Sequence, residues 1–354
     1  MGEVVDLRTF WLWFADSVGG GYSPLYSRIA RVVADNDEVL ALVQQGPPQS
    51  HMPNVLLAAV HYLVLGGLDH PLAPVYAGTS DADPGPLFID VCLTHRDDIL
   101  QLLATRHTNT NEVGRSAIVA VALQAVADRV GAPLAFVDVG CSAGANLLVD
   151  RYRIDYGAAG ATGPADAPVQ IACAITGGRP PIAPKVPEIV ERVGIDVDPV
   201  DVTDAYQLQW QLALVFPDTG RLERTRRALA ELQLTPPRIV KGDATNIVKD
   251  VLGALPAHVP AIVTTTWVAA YFLPDGRTAF REQLTAASHH RPVAWVSAEG
   301  AGVVDLFGEI HVPVDAQGTA GNVLGLARFR AGELTTDVLG FVHPHGNWID
   351  WQAS

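Results

Sequence analysis

The segment best suited to chemistry is a run of small residues, Gly140-Cys141-Ser142-Ala143-Gly144. It follows the apolar run 134–139, and an apolar segment begins near Asn146 just after it. This order predicts a buried strand, a tight turn and a helix. Small side chains let a ligand approach the backbone, and a helix N-terminus offers N–H groups to it. We therefore expect a ligand-binding loop at the end of the strand.

One interpretation of this loop is a cofactor site. Class I methyltransferases have an acidic residue near the strand end, followed by Gly-x-Gly-x-Gly. Asp138, Gly140 and Gly144 resemble that pattern, and Ser142 replaces the middle glycine with another small residue. A loop of this kind would hold the methionine part of S-adenosylmethionine, with Asn146 at its far end.

The same residues also fit Gly-x-Ser-x-Gly, the nucleophile elbow of a hydrolase. Ser142 would then be the nucleophile, Asp243 or Glu299 the acid, and His345 the base. Three observations favour the cofactor loop. The loop follows the first predicted strand, no oxyanion segment precedes it, and an acid two residues before Gly140 has no role in an elbow. A purely structural glycine turn is the third interpretation.

Two further acidic segments follow predicted strands. Asp196 or Asp198, in the run 194–199, would bridge ribose hydroxyls; the alternative is an acid in a surface Asp-Pro turn. Gly242-Asp243-Ala244 would face the adenine amine, although Asp243 also suits a helix N-cap. Because the carboxyl ends of strands in a doubly wound sheet converge, these acids predict a single ligand crevice.

Aromatic and acidic side chains end the next two strands. Thr266 and Trp267 close one strand, Tyr271 follows, and Glu299 closes the next strand. Thr266 is predicted to line the cofactor, and Glu299 is a candidate general base. Aromatic faces beside acids suit a sugar or another hydroxylated acceptor, so we expect Trp267 and Tyr271 to bind it. Trp295 lies within its strand and is predicted to be a core residue.

The C-terminal segment concentrates unusual side chains. His343, His345 and Trp348 stand close together in His-Pro-His-Gly-Asn-Trp. A histidine can act as a general base near neutral pH, so His345 is the second candidate base. We expect His343 and Trp348 in the acceptor pocket. The His-x-His spacing would also suit a metal, but no third ligand is identifiable, and packing of the tail across the sheet explains these residues equally well.

A polar segment stands before the loop and leads into an apolar helix. Asn111 is a plausible helix cap and a candidate cofactor ligand. Arg115 could hold the cofactor's carboxylate, because a guanidinium matches the two oxygens of that group. The alternative is an ordinary capped helix.

The elements around these residues predict an α/β fold. Helical periodicity dominates residues 1–130, which we expect to form an α-helical cap or lid domain. Strand-like and helix-like segments then alternate over 131–354, which predicts a parallel sheet with an insertion at about 155–190. A turn at Ala331-Gly332 predicts a closing antiparallel hairpin. The expected fold is a Rossmann-like class I methyltransferase sheet preceded by the helical domain.

Composition excludes several classes of partner. The chain has 354 residues and a net charge of −14, and no long basic run, which argues against nucleic acid and anionic membranes. Three scattered cysteines indicate reduced thiols, and the N-terminus lacks the lysines of a secretion signal. We expect a cytoplasmic protein. The apolar helical half would suit a homodimer surface, although core burial accounts for it as well.

Taken together, these motifs resemble an actinobacterial family with a methyltransferase-like glycine loop, over nearly the whole chain. The segments that carry the resemblance occur in one order, at 23–26, 110–115, 140–147, 194–199, 241–244 and 343–346. The chain is also similar in type to sugar 1-O-methyltransferases of mycobacterial methylmannose polysaccharide synthesis.

The resemblance implies a reaction and its ligands. The cofactor would be S-adenosylmethionine, and the acceptor a small hydroxylated molecule such as a 3-O-methylated mannoside. A sugar hydroxyl is a weak acid, so either the base acts late in the transfer or a divalent cation such as magnesium helps by lowering the pKa of the hydroxyl. A non-catalytic protein that binds an adenosyl ligand is a further alternative to the hydrolase.

Overall fold

The computed structural model describes residues 6–19, 22–131, 133–308, 310–316 and 318–353. The chain divides into two compact units. The first comprises Met1–Thr110 and Thr203–Arg226, and the second comprises Asn111–Val202 and Arg227–Ser354. The division differs from the expected boundary at residue 130. The helix before the first strand belongs with the sheet, and a later helical stretch belongs with the N-terminal helices.

The first unit is built from helices. Its described part contains α1 Leu7–Gly19, α2 Pro24–Ala34, α3 Asp37–Gln44, α4 Pro53–Leu65, α5 Leu72–Tyr76, α6 Pro84–Thr94, α7 Arg96–Thr105 and α9 Ala205–Ala213. Helix α2 begins at Pro24, because Ser23 accepts a hydrogen bond from the Tyr26 amide and proline suits the first turn of a helix. Helix α4 is buried on most sides, and His61 on it binds the Ala213 carbonyl of α9 at 3.0 Å.

The second unit is an α/β structure around one sheet. Nine described strands form it in the order β5-β12-β11-β10-β9-β8-β1-β6-β7. Their bounds are β1 Leu134–Val139, β5 Ala174–Gly177, β6 Ile189–Asp196, β7 Arg238–Lys241, β8 Ala261–Thr266, β9 Val293–Glu299, β10 Asn322–Arg330, β11 Glu333–Val342 and β12 Trp348–Trp351. The sheet is mostly parallel, since β7, β6, β1, β8 and β9 all run in the same direction.

The middle of the sheet is its most apolar part. Every residue of β1, β8 and β9 is buried, as expected for strands covered on both faces. Helices α11 (Ala244–Gly253) and α12 (Pro274–Ala287) share one apolar cluster with alternate residues of these strands. Helix α8 (Ser116–Val130) contacts β8. Helix α10 (Leu222–Leu234) contains the division between the units at residue 226.

The predicted hairpin is confirmed. Strands β10 and β11 pair antiparallel, and Ala331 and Gly332 both have positive φ, as a tight two-residue hairpin turn requires. Trp295 is buried in β9, as expected. The segment between β1 and β6 contains more short strands than predicted. It holds β2 Arg153–Asp155, β3 Ala161–Thr162 and β4 Gln170–Ala172, which form a separate small sheet, and then β5.

The helix expected after the small-residue loop is absent from the described structure. Residues Ala145–Arg151 form 3₁₀ turns, and Leu148 between them has non-helical backbone angles. A helix dipole therefore contributes little at this loop, contrary to the sequence prediction. None of the described helices is both long and apolar enough to cross a membrane.

Candidate functional site

The small-residue loop has a strained but fully packed backbone. Gly140, Ser142 and Gly144 have φ values of 70°, 54° and 88°. Positive φ is uncommon in a residue with a side chain, so Ser142 occupies a conformation that favours glycine. A Cβ atom on Gly140 would lie 2.6 Å from a methyl group of Val268. Packing and turn geometry thus require Gly140, whatever the loop binds.

The loop is anchored to the neighbouring strand β6. The Cys141 side chain is buried against Gly194, where any Cβ would lie 2.4 Å from its sulfur. The amides of Gly140 and Cys141 donate to the Ile195 carbonyl. Ala143 is fully buried beneath the same turn. Contacts to Cys141 and Ala143 could therefore come only through the backbone.

Asp196 joins the end of β6 to the loop. One carboxylate oxygen accepts from the Ser142 amide at 2.8 Å, and the other accepts from the Asp198 amide at 2.8 Å. The residue is only 7% exposed. The Gly242 amide, after β7, donates to the Asp196 carbonyl at 2.8 Å. The ends of β1, β6 and β7 therefore meet at Asp196, as the sequence predicted for a crevice.

A second buried carboxylate lies beneath the loop. Asp138 accepts a hydrogen bond from the Thr264 hydroxyl at 2.6 Å. Burial raises the pKa of Asp138 to about 7, and nearby Asp196 adds to that increase, whereas the Thr264 hydrogen bond and the Arg115 charge lower it. Asp138 therefore changes its charge near neutral pH, directly under the candidate site.

Arg115 connects two edges of the site. Its Nη1 donates to the Thr266 carbonyl and its Nε donates to the Pro344 carbonyl, both at 2.9 Å. Thr266 ends β8, and Pro344 belongs to the segment after β11. Arg115 thus fastens the C-terminal segment to the carboxyl end of the parallel strands.

The Glu299 carboxylate binds the backbone of a turn in which Trp267 has a strained conformation. Its Oε1 accepts from the amides of Val268 and Ala269, both at 3.0 Å. Trp267, just before them, has a φ of 61° and is 42% exposed. Such a conformation is strained for a bulky residue and persists only where neighbouring contacts enforce it. Tyr271 is 79% exposed on the same turn. Both aromatic side chains are therefore accessible to a ligand, and their contact with an acceptor stays a prediction.

The other oxygen of Glu299 lines a small cavity. Neither Glu299 Oε2 nor Ser297 Oγ has a hydrogen-bond partner among the described residues, and both are buried. They border a cavity of about 10 Å³, roughly the room that one water molecule needs. Burial raises the pKa of Glu299, while hydrogen bonds from Ala269 and Val268 lower it.

The C-terminal segment forms a cluster of histidines and carboxylates. His345 Nδ1 lies 3.2 Å from Glu112 Oε2. His343 Nε2 lies 3.6 Å from Asp315 Oδ2, which also accepts from the Trp348 indole at 3.2 Å. Both imidazoles therefore face a carboxylate. Strand register places them at the same edge as Glu299, since Val323 pairs with Glu299 and Asn322 pairs with Val342.

The polar segment before α8 contributes two side chains. Asn111 does not cap α8, whose N-cap position is Arg115; Glu112 accepts from the Gly114 amide and caps the 3₁₀ turn Val113–Arg115 before the helix. Asn111 is buried, and its Nδ2 has no partner among the described residues. Asn111 therefore retains an unused donor. Asn146, after the loop, accepts a hydrogen bond from Ser116 at 2.8 Å.

Asp243 is less clearly part of the site. Its carboxylate accepts from the Thr245 amide and hydroxyl, which makes it the N-cap of α11. A Cβ on Gly242 would press on Ile247, and Ala244 is buried in the helix. The N-cap interpretation is thus confirmed, and the adenine contact stays a prediction.

The hydrolase triad is not assembled. His345 pairs with Glu112, whereas the two proposed acids are engaged elsewhere, Asp243 with its own helix and Glu299 with the 268–269 amides. The described residues also contain no group of three or more His, Cys, Asp or Glu side chains arranged to hold a metal ion.

Sequence reasoning missed three residues of this site, namely Glu112, Thr264 and Asp315. Glu112 lies in a polar segment in which only Asn111 and Arg115 were candidate site residues, and its partner His345 is 233 residues away in the sequence. Thr264 reads as an ordinary residue of a buried strand. Acids and small residues indicated the site residues at the strand ends, and no comparable pattern indicates these three.

Comparison with known proteins places the chain in a family. No curated protein matches it significantly. Residues 9–351 match the family described as "Uncharacterized protein conserved in bacteria (DUF2332)". The match covers both compact units and every residue of the candidate site, so the chain belongs to this bacterial family.

Proposed function

We propose that the protein is an S-adenosylmethionine-dependent O-methyltransferase with a small hydroxylated acceptor, such as a methylated mannoside. The observation that carries this proposal is the bond between Asp196 and the Ser142 amide. It sets an acid from the second parallel strand directly beside the small-residue loop of the first. Acids in this position bind ribose hydroxyls in dinucleotide-binding sheets.

The strand order supports a Rossmann-like arrangement. The parallel strands lie in the order β7-β6-β1-β8-β9, which is the 3-2-1-4-5 order of doubly wound sheets. The chain reverses its direction across the sheet between β1 and β8. Ligands of such sheets bind in the crevice at that point, outside the carboxyl ends of the strands. Gly140, Thr266 and Trp267 all stand there.

The donors and acceptors at this crevice fit the cofactor. Each oxygen of Asp196 accepts one amide and keeps a lone pair for a hydroxyl. Asp198, half-exposed beside Lys241, offers a second carboxylate. The unused Nδ2 donor of Asn111 suits a carboxylate or a ring nitrogen. The positive charge of Arg115 acts on Asp138.

The bound cofactor would supply an electrophilic methyl group, and the chain has two tasks beyond binding it. It must align the acceptor oxygen with the methyl carbon, and it must remove the hydroxyl proton. Trp267 and Tyr271 provide exposed rings for the first task. His343 and Trp348 would shape the far side of the same pocket.

One feature favours a second candidate, a serine hydrolase. Ser142 has the positive φ that a nucleophile elbow also imposes on its serine. A covalent serine-directed probe distinguishes the two functions, since it labels Ser142 in a hydrolase and leaves it unmodified in a methyltransferase.

Titration with S-adenosylhomocysteine tests the proposal, with ATP and NAD as controls. A ligand at a hundred times its Kd stabilises the folded state by roughly 2.7 kcal/mol. We expect Tm to rise by several degrees with S-adenosylhomocysteine alone. A folded protein whose Tm responds to none of the three ligands would contradict the proposal.

Two variants locate the binding. Asp198→Asn removes a charged acceptor without touching the loop backbone, so we expect Kd to increase about tenfold or more. Asp196→Asn should weaken binding further because it also loosens the loop. Asp250→Asn, an exposed change on α11, is the matched control and should bind normally. Equal Kd values in all three variants would place the ligand elsewhere.

A further inference from the structure

We propose that His345 is the general base and that Glu112 is the residue that positions it. This inference rests on the proposed function. Glu112 Oε2 lies 3.2 Å from His345 Nδ1, and its Oε1 accepts from the Gly114 amide at 2.9 Å. The Glu112 side chain is only 7% exposed, while that of His345 is 27% exposed. A fixed, buried carboxylate thus faces an accessible imidazole.

This contact decides which nitrogen of His345 is basic. Glu112 accepts a hydrogen bond, so the neutral imidazole carries its proton on Nδ1. Its basic lone pair is then on Nε2, the arrangement by which carboxylates orient catalytic histidines. The negative charge of Glu112 also favours the imidazolium form of His345 once it has accepted a proton.

The neighbouring histidine has the opposite assignment. His343 Nδ1 accepts a hydrogen bond from the His345 amide at 3.0 Å, so its neutral form carries the proton on Nε2, towards Asp315. His343 is 3% exposed. It therefore supports the turn from within, and the two histidines of the His-x-His pair have different roles.

Two contacts hold this turn at the crevice. Arg115 ties the Pro344 carbonyl to the Thr266 carbonyl at the end of β8. Gly346 has a φ of 75°, and any Cβ there would collide with the Gly114 carbonyl. The backbone of the tail thus approaches the segment that carries Glu112 as closely as only glycine permits. His345 is held where the parallel strands end.

Glu299 is poorly placed for the same task. It is 2% exposed, and its Oε1 is engaged by two amides. It acts by holding the Trp267 turn. His345 is therefore the group that can reach an acceptor in the crevice.

Bound S-adenosylmethionine would supply the methyl group of a sulfonium, and transfer of that methyl to the acceptor oxygen would leave the carbon–sulfur electron pair on a neutral sulfur. The hydroxyl proton moves to His345 Nε2. The resulting imidazolium is stabilised by Glu112 and later releases the proton to water.

Histidine NMR tests the dyad without any acceptor. The chain has 11 histidines, so the His345 signals are assigned by their loss in His345→Gln. We expect the wild-type protein to show the Nδ1–H tautomer of His345.

Glu112→Gln is the decisive variant. The glutamine oxygen can still accept from Gly114, which leaves its NH₂ towards His345. We expect the tautomer of His345 to switch to Nε2–H. His290→Gln, at an exposed position just after α12, is the matched control and should leave the His345 tautomer unchanged. An unchanged tautomer in Glu112→Gln would overturn the dyad.

Chemical labelling links the dyad to the cofactor. Diethyl pyrocarbonate modifies accessible imidazoles, and we expect S-adenosylhomocysteine to reduce labelling of His345 several-fold, but not that of His290. Binding of S-adenosylhomocysteine without protection or NMR shifts at His345 would overturn the base while leaving the proposed function intact. No binding, with the Nδ1–H tautomer present, would overturn the proposed function, and the base with it.

Discussion

The two units bury polar groups in different ways. In the helical unit, His61 is buried in α4, and burial lowers its pKa to about 4, so it stays neutral. Tyr26 and Tyr76 are buried as well, and burial raises the pKa of both. In the sheet unit, Asp138, Asp196 and Glu299 are carboxylates, and all three stand at one edge of the sheet.

This difference separates packing from chemistry. Burial disfavours charge, and a structural core resolves this by holding neutral groups. The buried His61, Tyr26 and Tyr76 of the helical unit are neutral groups of this kind. The sheet unit instead gathers carboxylates where strands end, which lowers stability unless backbone amides and ligands compensate. A buried acid at a strand end is therefore a better indicator of function than a buried histidine in a helix.

The largest change in the free energy of unfolding should come from a substitution in the core of the helical unit. Leu56 is fully buried in α4, so Leu56→Ala should lower the free energy of unfolding by about 2–5 kcal/mol. If this unit contributes packing, the folded variant should bind S-adenosylhomocysteine with unchanged Kd. Chemical denaturation measures the first quantity and calorimetric titration the second. A large increase in Kd at full folding would show that the helical unit shares in binding.

Much of the sheet was readable from the sequence. The run 134–139 is β1 to the residue, because a short apolar segment that ends in small residues has few alternatives. The position of Asp196 at the end of a strand was also predicted, and it is the last residue of β6; its contact with ribose hydroxyls stays a prediction. The turn at Ala331-Gly332 was readable from its residue types.

Other parts were not readable, for physical reasons. The segment after the loop is apolar enough for a helix, yet Asn146 is bonded to Ser116 and Leu148 breaks the turn, so tertiary contacts decide its form. The pairing of Glu112 with His345 joins distant parts of the chain. Side-chain periodicity contains no information about such a contact.

A smaller change in stability should come from the ionisation of Asp138. Its pKa is about 7 in the folded protein and near 3.8 when unfolded, so the folded state binds more protons between these values. Stability should therefore fall as pH rises from about 4 to 7, and stay lower above that. Asp138→Asn removes this dependence, so its Tm relative to the wild type should increase by several degrees between pH 5 and pH 8.

Differential scanning calorimetry across this pH range checks the Asp138 prediction. Asp250→Asn serves as the control, because Asp250 is exposed on α11 and should follow the wild-type curve. If the Asp138→Asn and wild-type curves stay parallel from pH 5 to pH 8, Asp138 is ionised throughout this range, and burial does not keep this carboxylate protonated.

The smallest effect should come from His61, with the opposite sign. Its pKa is about 4 when folded and 6.5 when unfolded, so the unfolded state binds more protons between these values. Stability should be fully present above pH 6.5 and decrease as pH falls towards 4, by at most about 1.4 kcal/mol per pH unit. In His61→Gln the amide can still donate to the Ala213 carbonyl, so the variant should lose less stability in acid. Urea denaturation at pH 7, 6 and 5 measures this difference. A wild-type protein that loses no more stability than the variant would mean that His61 is protonated in the folded state, and the helical unit would then also contain a buried charge.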